Sequence, residues 1–193
     1  MTDMVVGFDL VCEEDYNPGT DHFLDQIYEL KLRAGDKFAC YMHAGESYQR
    51  TNTELYDAIL LGSKRIGHGF ALSMHPNLIE IVKEKKICIE TCPVSNKLLC
   101  VVNDLRLHPI RTLLAQGVPV SVNPDDHGFF QSEGVTMDYL YAYLEWGLDL
   151  SDLKQLCLNS LEYATITEAE KVEMRKFFDW RWRRFLSYVR GKY

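Results

Sequence analysis

No apolar run in this 193-residue sequence approaches the ~20 residues that a bilayer-spanning helix needs. The opening "MTDMVVGFDLVCEED" carries neither a basic leader segment nor small cleavage-type residues, so it does not read as a secretory signal peptide. Asn-x-Ser/Thr acceptors are absent, as are a G-x-S-x-G elbow, a P-loop and a dinucleotide glycine fingerprint. Serine-hydrolase and nucleotide-phosphate chemistry therefore lack their usual supports. Positive charge is scarce too. The formal net charge is −7, which argues against a protein that grips a phosphate backbone. One stretch departs from this: Arg175 to Tyr193 holds seven Lys/Arg and one acid, Asp179. Cations favoured near a helix C-terminus are the simpler reading and a polyanion site the other. The six cysteines (Cys12, Cys40, Cys88, Cys92, Cys100, Cys157) mostly sit in apolar stretches. They read as free, buried thiols and not as a disulfide framework.

What is present is an ordinary globular composition, 47% hydrophobic, at a length that suits one domain. Five short β-prone runs recur at 4–11, 37–43, 64–69, 86–92 and 118–123, separated by helix-like segments. "GTDHFLDQIYELKLRAG" begins with a Thr20 or Asp21 cap and ends at Gly35, and "NTELYDAILLG" ends at Gly62. "HPNLIEIVKEKK" starts with Pro76 in a favoured first-turn position, and "LRLHPIRTLLAQG" finishes on Gly117. Strands too uniformly apolar to have a wet face, alternating with helices, predict a parallel sheet covered by helices. Beyond the fifth strand the pattern predicts three successive helices over 136–193. Ser151 suits an N-cap there, and Thr167 with Glu170 suits a capping box. Met174, Phe178, Phe185 and Val189 fall near one face of the last helix, a stripe expected to pack into a core.

Polar and ionisable residues gather where these strands end. Glu13 and Glu14 follow the first, His43 and Glu46 the second, His68 the third, Cys92 and Ser95 the fourth, and Asp125 and Asp126 the fifth. In parallel α/β barrels chemistry sits at that rim, because the loops there converge on the barrel axis. In "CYMHAGESYQR" only Ala44 and Gly45 separate His43 from Glu46. Either this is a turn with a solvated Glu, or the chain turns sharply and aims imidazole and carboxylate at one point. Imidazole suits zinc, and a neighbouring carboxylate off the metal suits acid/base work. His68, between Gly67 and Gly69, is a satisfied core histidine or a group held where ligand and backbone come close. Asp125 and Asp126 strain each other's ionisation unless a cation, a donor or a substrate relieves them; a solvated turn is the alternative. Cys88 and Cys92 have zinc-like i, i+4 spacing but no second pair, and their strand context favours core packing.

Taken in order and spacing, "MHAGE", "RIGHG", "ETCPVSN" and "NPDD" resemble the adenosine deaminase family of zinc-dependent purine aminohydrolases. "GFDLV" followed by "EED", "GHGFALSMHP" and "DLRLHP" resemble its adenosine deaminase growth factor branch, which is typically secreted. The resemblance runs from about Val5 to the C-terminus. It implies a metal-dependent-hydrolase (β/α)8 barrel, of which residues 1–193 would form one incomplete domain, about strands four to eight plus the C-terminal helices 136–193. It also implies a Zn2+ cofactor, a purine nucleoside substrate and an extracellular setting, with neither nucleic acid nor membrane as partner. By motif, His43 and Asp125 resemble zinc ligands, Glu46 the acid that protonates purine N1, and His68 the group that orients the metal's water. Asp126 resembles the carboxylate that takes the imidazole edge of the purine. Cys12 stands where the family commonly has a glycine approaching purine N3, so a side chain there is expected to narrow the pocket.

The family's first strand also carries a His-x-His pair of ligands, and no two of His22, His43, His68, His75, His108 and His127 form such a pair. Two ligands are fewer than the three protein ligands typical of a catalytic zinc, so weak zinc binding is expected. Five strands of an eight-stranded barrel would leave open edges and an uncovered apolar interior. The chain is therefore expected to be part of a longer product, to dimerise, or to pair with a missing N-terminal half. Three functional readings stand: a partial adenosine deaminase, a deaminase-like binding or growth-factor-type protein without catalysis, and a deaminase of another purine such as AMP.

Overall fold

Four short strands run parallel in sequence order, β1 (His43–Ala44), β2 (Arg65–His68), β3 (Cys88–Thr91) and β4 (Val120–Val122), in a computed structural model that describes residues 5–35 and 39–192. The register aligns His43, Gly67, Glu90 and Ser121 in one row and, beyond it, pairs Ala44 with His68 and Thr91 with Val122. The expected strand at 4–11 is reduced to a single parallel bridge, Phe8 to Cys40. Its hydrogen bonds run from Phe8 N–H to Ala39 O, from Tyr41 N–H to Phe8 O and from His43 N–H to Leu10 O. The segment therefore lies beside β1 in the order a barrel requires. Met4, Lys37 and Phe38, which belong to two of the expected strands, lie outside the described residues.

Helices follow the strands as right-handed α/β alternation demands: α1 (Leu24–Ala34), α2 (Glu54–Leu60), α3 (Pro76–Glu84), α4 (Pro93–Leu98), α5 (Ile110–Ala115), α6 (Thr136–Trp146), α7 (Leu150–Glu162) and α8 (Glu168–Lys192). Pro76 opens α3 as expected. The segment read as one helix at 105–117 splits into a 3-10 turn, Leu105–Leu107, and α5, because Pro109 has no N–H to continue a ladder. α7 is capped by Asp149 and not by Ser151: one Asp149 oxygen accepts from Ser151 N and Asp152 N, while Asp152 accepts from Asp149 N. A carboxylate reaches both orphan amides, whereas Ser151 already lies inside the helix. The Thr167–Glu170 box is present.

Strand alternation sorts the sheet's faces. Met42, Ile66, Ile89 and Val120 share one face and are fully buried, packed with Leu55 and Ile59 of α2, Ile79 and Val82 of α3, and Ile110 and Leu113 of α5. Each such side chain contributes about 1.5–3 kcal/mol. The opposite face is polar instead of the expected apolar interior. Arg65 donates to Glu90 at 2.5 Å and to Tyr163 O at 2.8 Å, and its guanidinium lies 4.1 Å from the Tyr41 ring centroid. Thr165 bonds Tyr41 at 2.6 Å, so the turn after α7 ties down that face. At the edge, Asn159 of α7 donates to Val120 O at 2.7 Å, which blunts β4.

The expectation for α8 fails. None of its residues is buried, and Met174 and Phe185 are 48% and 42% exposed. The helix touches α7, and among the described residues no layer covers its length. Its rings pair along the helix instead, Phe178 with Trp182 and Trp182 with Phe185 at 5.9 and 5.3 Å between centroids. All six cysteines are free, but Cys12 and Cys100 are exposed.

Candidate functional site

The turn "HAGE" is held by a residue upstream of it. Glu14 accepts hydrogen bonds from Gly45 N at 3.0 Å, Glu46 N at 2.9 Å and Asn52 Nδ2 at 2.9 Å. Gly45 has φ +76°, and a Cβ there would lie 2.8 Å from Leu55, so glycine is needed on both counts. This anchoring turns His43 and Glu46 toward the same end of the sheet.

His43 is oriented from behind. Its Nδ1 donates to Asp9 Oδ1 at 3.1 Å and lies 3.0 Å from Oδ2, which leaves Nε2 with its lone pair free. A carboxylate behind an imidazole is the usual way a metal-binding histidine is fixed. Burial lowers the His43 pKa, but the bond to Asp9 and the charges of Asp9, Glu90 and Asp125 outweigh it, so the net shift is upward. Asp9 escaped the sequence reading. Its signal was an acid inside the apolar run "VVGFDLV". Gly67 also has a specific role: a Cβ there would stand 2.8 Å from His43 Cγ and Cδ2. The glycine before His68 makes room for the neighbouring imidazole.

His68 leaves the pleat. Its φ of 60° and the 52° of Asp125 are left-handed values for non-glycine residues, strain of the kind that gathers at functional sites. The turned ring, 3% exposed, sets Nε2 3.6 Å from Asp125 Oδ2 and Nδ1 3.2 Å from Glu46 Oε1. The rings of His43 and His68 are 5.2 Å apart between centroids. Burial, then the His43 charge, pushes the His68 pKa down to about 4, so it is neutral at pH 7. Burial, followed by the charges of Asp125 and Glu14, pushes Glu46 up to about 7. Two groups with pKa values driven apart are the arrangement acid/base chemistry uses.

Asn96, quoted in "ETCPVSN" but given no role from sequence, is fully buried and joins the two: Nδ2 lies 3.3 Å from Glu46 Oε1 and 3.2 Å from His68 Nδ1, and Oδ1 lies 3.1 Å from His108 Nε2. Of the residues singled out from sequence, His43, Glu46, His68 and Asp125 thus converge. Cys12 is exposed and lines a narrow cleft together with Glu14 and His43. Asp126 is exposed, and among the described residues its carboxylate takes no hydrogen bond. Glu13 points away, accepting from Tyr16 N.

The donor set fits zinc. His43 offers an oriented nitrogen and Asp125 a carboxylate, donor types that zinc takes. Among the described residues, however, the compact three-donor group is His68, Cys92 and Asp125, whose ligand atoms lie within 4.8 Å of one another. His43 stands outside it with its ring 5.2 Å from that of His68, so the site is partial. Burial, then nearby acids led by Asp125, pushes the Cys92 thiol well up, so its neutral form stands beside the site.

The family model described as adenosine deaminase matches residues 1–179. Adenosine deaminase 2 of Dictyostelium discoideum is 40% identical over 193 residues, covering 97% of this chain and 35% of that protein. Adenosine deaminase 2 of Homo sapiens is 39% identical over 198 residues, covering 98% and 38%. The chain thus spans little more than a third of these relatives' length. Among solved structures, an amidohydrolase from Burkholderia ambifaria with bound Zn superposes with a TM-score of 0.83 at 22% identity, covering 98% of this chain and 51% of that one. An adenine deaminase from Arthrobacter aurescens gives 0.80 at 24% identity, covering 93% and 53%. The four-stranded parallel α/β sheet corresponds to about half of the fold of those structures, a partial barrel.

Proposed function

Because the chain belongs to the adenosine deaminase family, we propose that its rim contributes one side of a site that hydrolyses adenosine or deoxyadenosine to the inosine nucleoside and ammonia. The observation that carries this reading is the meeting of His43, Glu46, His68 and Asp125 beyond the strand ends. Zinc, when held by His43 Nε2 and Asp125, supplies water activated for attack at neutral pH. Glu46 keeps a proton to near neutrality and delivers it to purine N1 as electrons arrive there from C6. His68, neutral, orients the attacking water and steadies the charge that develops. Asp126, exposed to solvent, accepts a hydrogen bond from the imidazole edge of the base. Cys12 narrows the cleft beside His43.

The 193 residues contain no His-x-His pair, so full zinc affinity and turnover depend on two further ligands. A longer chain or a partner that carries such a pair is the source to look for. Supplying the N-terminal portion of a related deaminase in trans is expected to restore zinc binding and adenosine turnover. A folded, zinc-loaded complex that leaves adenosine and deoxyadenosine untouched would eliminate the substrate assignment. The same missing ligands favour a second reading, a deaminase-like binding protein without catalysis. Deamination by the pure chain, abolished by Glu46→Gln, would eliminate that one. Resemblance to the growth factor branch supports an extracellular setting.

A further inference from the structure

His108 lies outside the proposed metal and substrate contacts, yet it is 1% exposed and tied to the site by directed hydrogen bonds. Its Nδ1 accepts from Ile110 N at 3.2 Å. A neutral imidazole with a bare Nδ1 carries its proton on Nε2, and Nε2 faces Asn96 Oδ1 at 3.1 Å. This settles which way the Asn96 amide points. With Oδ1 committed as acceptor, Nδ2 is the end that faces His68 Nδ1 at 3.2 Å and Glu46 Oε1 at 3.3 Å. An amide nitrogen only donates, so His68 Nδ1 accepts from Asn96 Nδ2. Glu46 Oε1, 3.2 Å from the same Nδ1, takes its hydrogen bond from Asn96 and not from His68. The His68 proton is left on Nε2, the nitrogen 3.6 Å from Asp125.

We infer that His108 and Asn96 are positioning residues that fix His68 in its Nε2–H tautomer, the backbone amide of Ile110 setting the direction of the whole chain. Nothing along it is solvent-exposed enough for water to reverse the order: His108, Asn96 and His68 are all buried. The His108 ring is held in turn between Phe70 and Trp146, at 6.4 and 5.3 Å between centroids, and Trp146 Nε1 is anchored to Leu105 O. The consequence is a donor, and not a lone pair, presented by His68 toward the place where the water and the developing oxygen charge would sit. That consequence rests on the deaminase reading; the tautomer does not.

The test therefore needs neither metal nor substrate. Histidine side-chain 15N shifts of the chain in chelated buffer report each ring's tautomer directly. Wild type is expected to show His68 with protonated Nε2 and unprotonated Nδ1. His108→Gln can donate to Asn96 Oδ1 and accept from Ile110 N, and should keep that pattern. His108→Leu removes the donor that orients Asn96 and should bring the two His68 nitrogens toward averaged shifts. Should the leucine variant lose its dispersed amide spectrum, Asn96→Asp replaces it. A carboxylate only accepts, so the proton should move to His68 Nδ1 and the two assignments exchange. A wild-type His68 protonated on Nδ1, or wild-type shifts retained in folded His108→Leu or Asn96→Asp protein, overturns the inference. A folded, zinc-loaded complex with the supplied N-terminal portion that leaves adenosine untouched while the tautomer is intact would count against the proposed function alone.

Discussion

Replacing Glu46 with glutamine should make the metal-free chain more stable at alkaline pH, by an amount the site itself sets. Burial, with the charges of Asp125 and Glu14 behind it, raises the Glu46 pKa from 4.5 to about 7, while the unfolded chain releases the same proton near 4.5. The folded pKa is the higher one. The stabilisation from holding the proton is therefore fully present below 4.5 and is lost as pH rises through 7. A gap of about 2.5 pH units at 1.36 kcal/mol each gives roughly 3 kcal/mol. The side chain is 20% exposed, so solvent screening removes little of it. Glutamine has the same shape and nothing to ionise. Urea unfolding of both proteins, followed by circular dichroism from pH 4 to 9 in chelated buffer, cancels the other titrating groups in the difference. Wild type should lose about 3 kcal/mol relative to Glu46→Gln across that range, most of it between pH 5 and 7.5. A difference that stays flat, or that is complete by pH 5, would show that Glu46 ionises like a surface carboxylate. It would then be no proton reservoir for a purine nitrogen.

Gly67→Ala should push the His43 ring away from Asp9, since its Cβ would lie 2.8 Å from two ring atoms. The expected cost is about 1–3 kcal/mol in urea unfolding, and unchanged stability with unchanged His43 NMR shifts would refute the close approach. Asp9→Asn should lower the His43 pKa. Burial already pulls it down, and the variant removes the first of the upward causes. Because the wild-type shift is upward, Asp9 stabilises at pH below the ordinary histidine value and loses that effect as pH rises through the folded pKa. The variant should thus lag wild type at pH 5.5 and approach it at pH 8.5. A gap that widens with pH would contradict this sign.

Local chemistry was legible in the residues themselves. Apolar runs broken by Gly62 and Gly117 marked strand–helix alternation, Pro76 marked the start of α3, and Thr167 with Glu170 marked the start of α8, because each depends on neighbours within a few positions. The rim motifs were legible for the same reason: a histidine and a carboxylate three residues apart need only one turn to converge. The mistakes were also local in origin. Asp149 and Ser151 look equally good as caps until the φ/ψ boundary of α7 is known. The stripe on α8 has core periodicity, but periodicity cannot say whether anything covers it.

Sequence by itself determined the fold class and four of the residues that meet at the rim, since uniformly apolar runs alternating with helix-like segments and short motifs are properties of a chain read in order. Tertiary structure decided what holds them there. Asp9 reaches His43 across 34 positions, and Asn96 joins Glu46 across 50 and His68 across 28. Those partnerships follow from strand register and from left-handed turns at His68 and Asp125. Register is a relation between segments, and a left-handed turn at a non-glycine residue persists only where packing compels it.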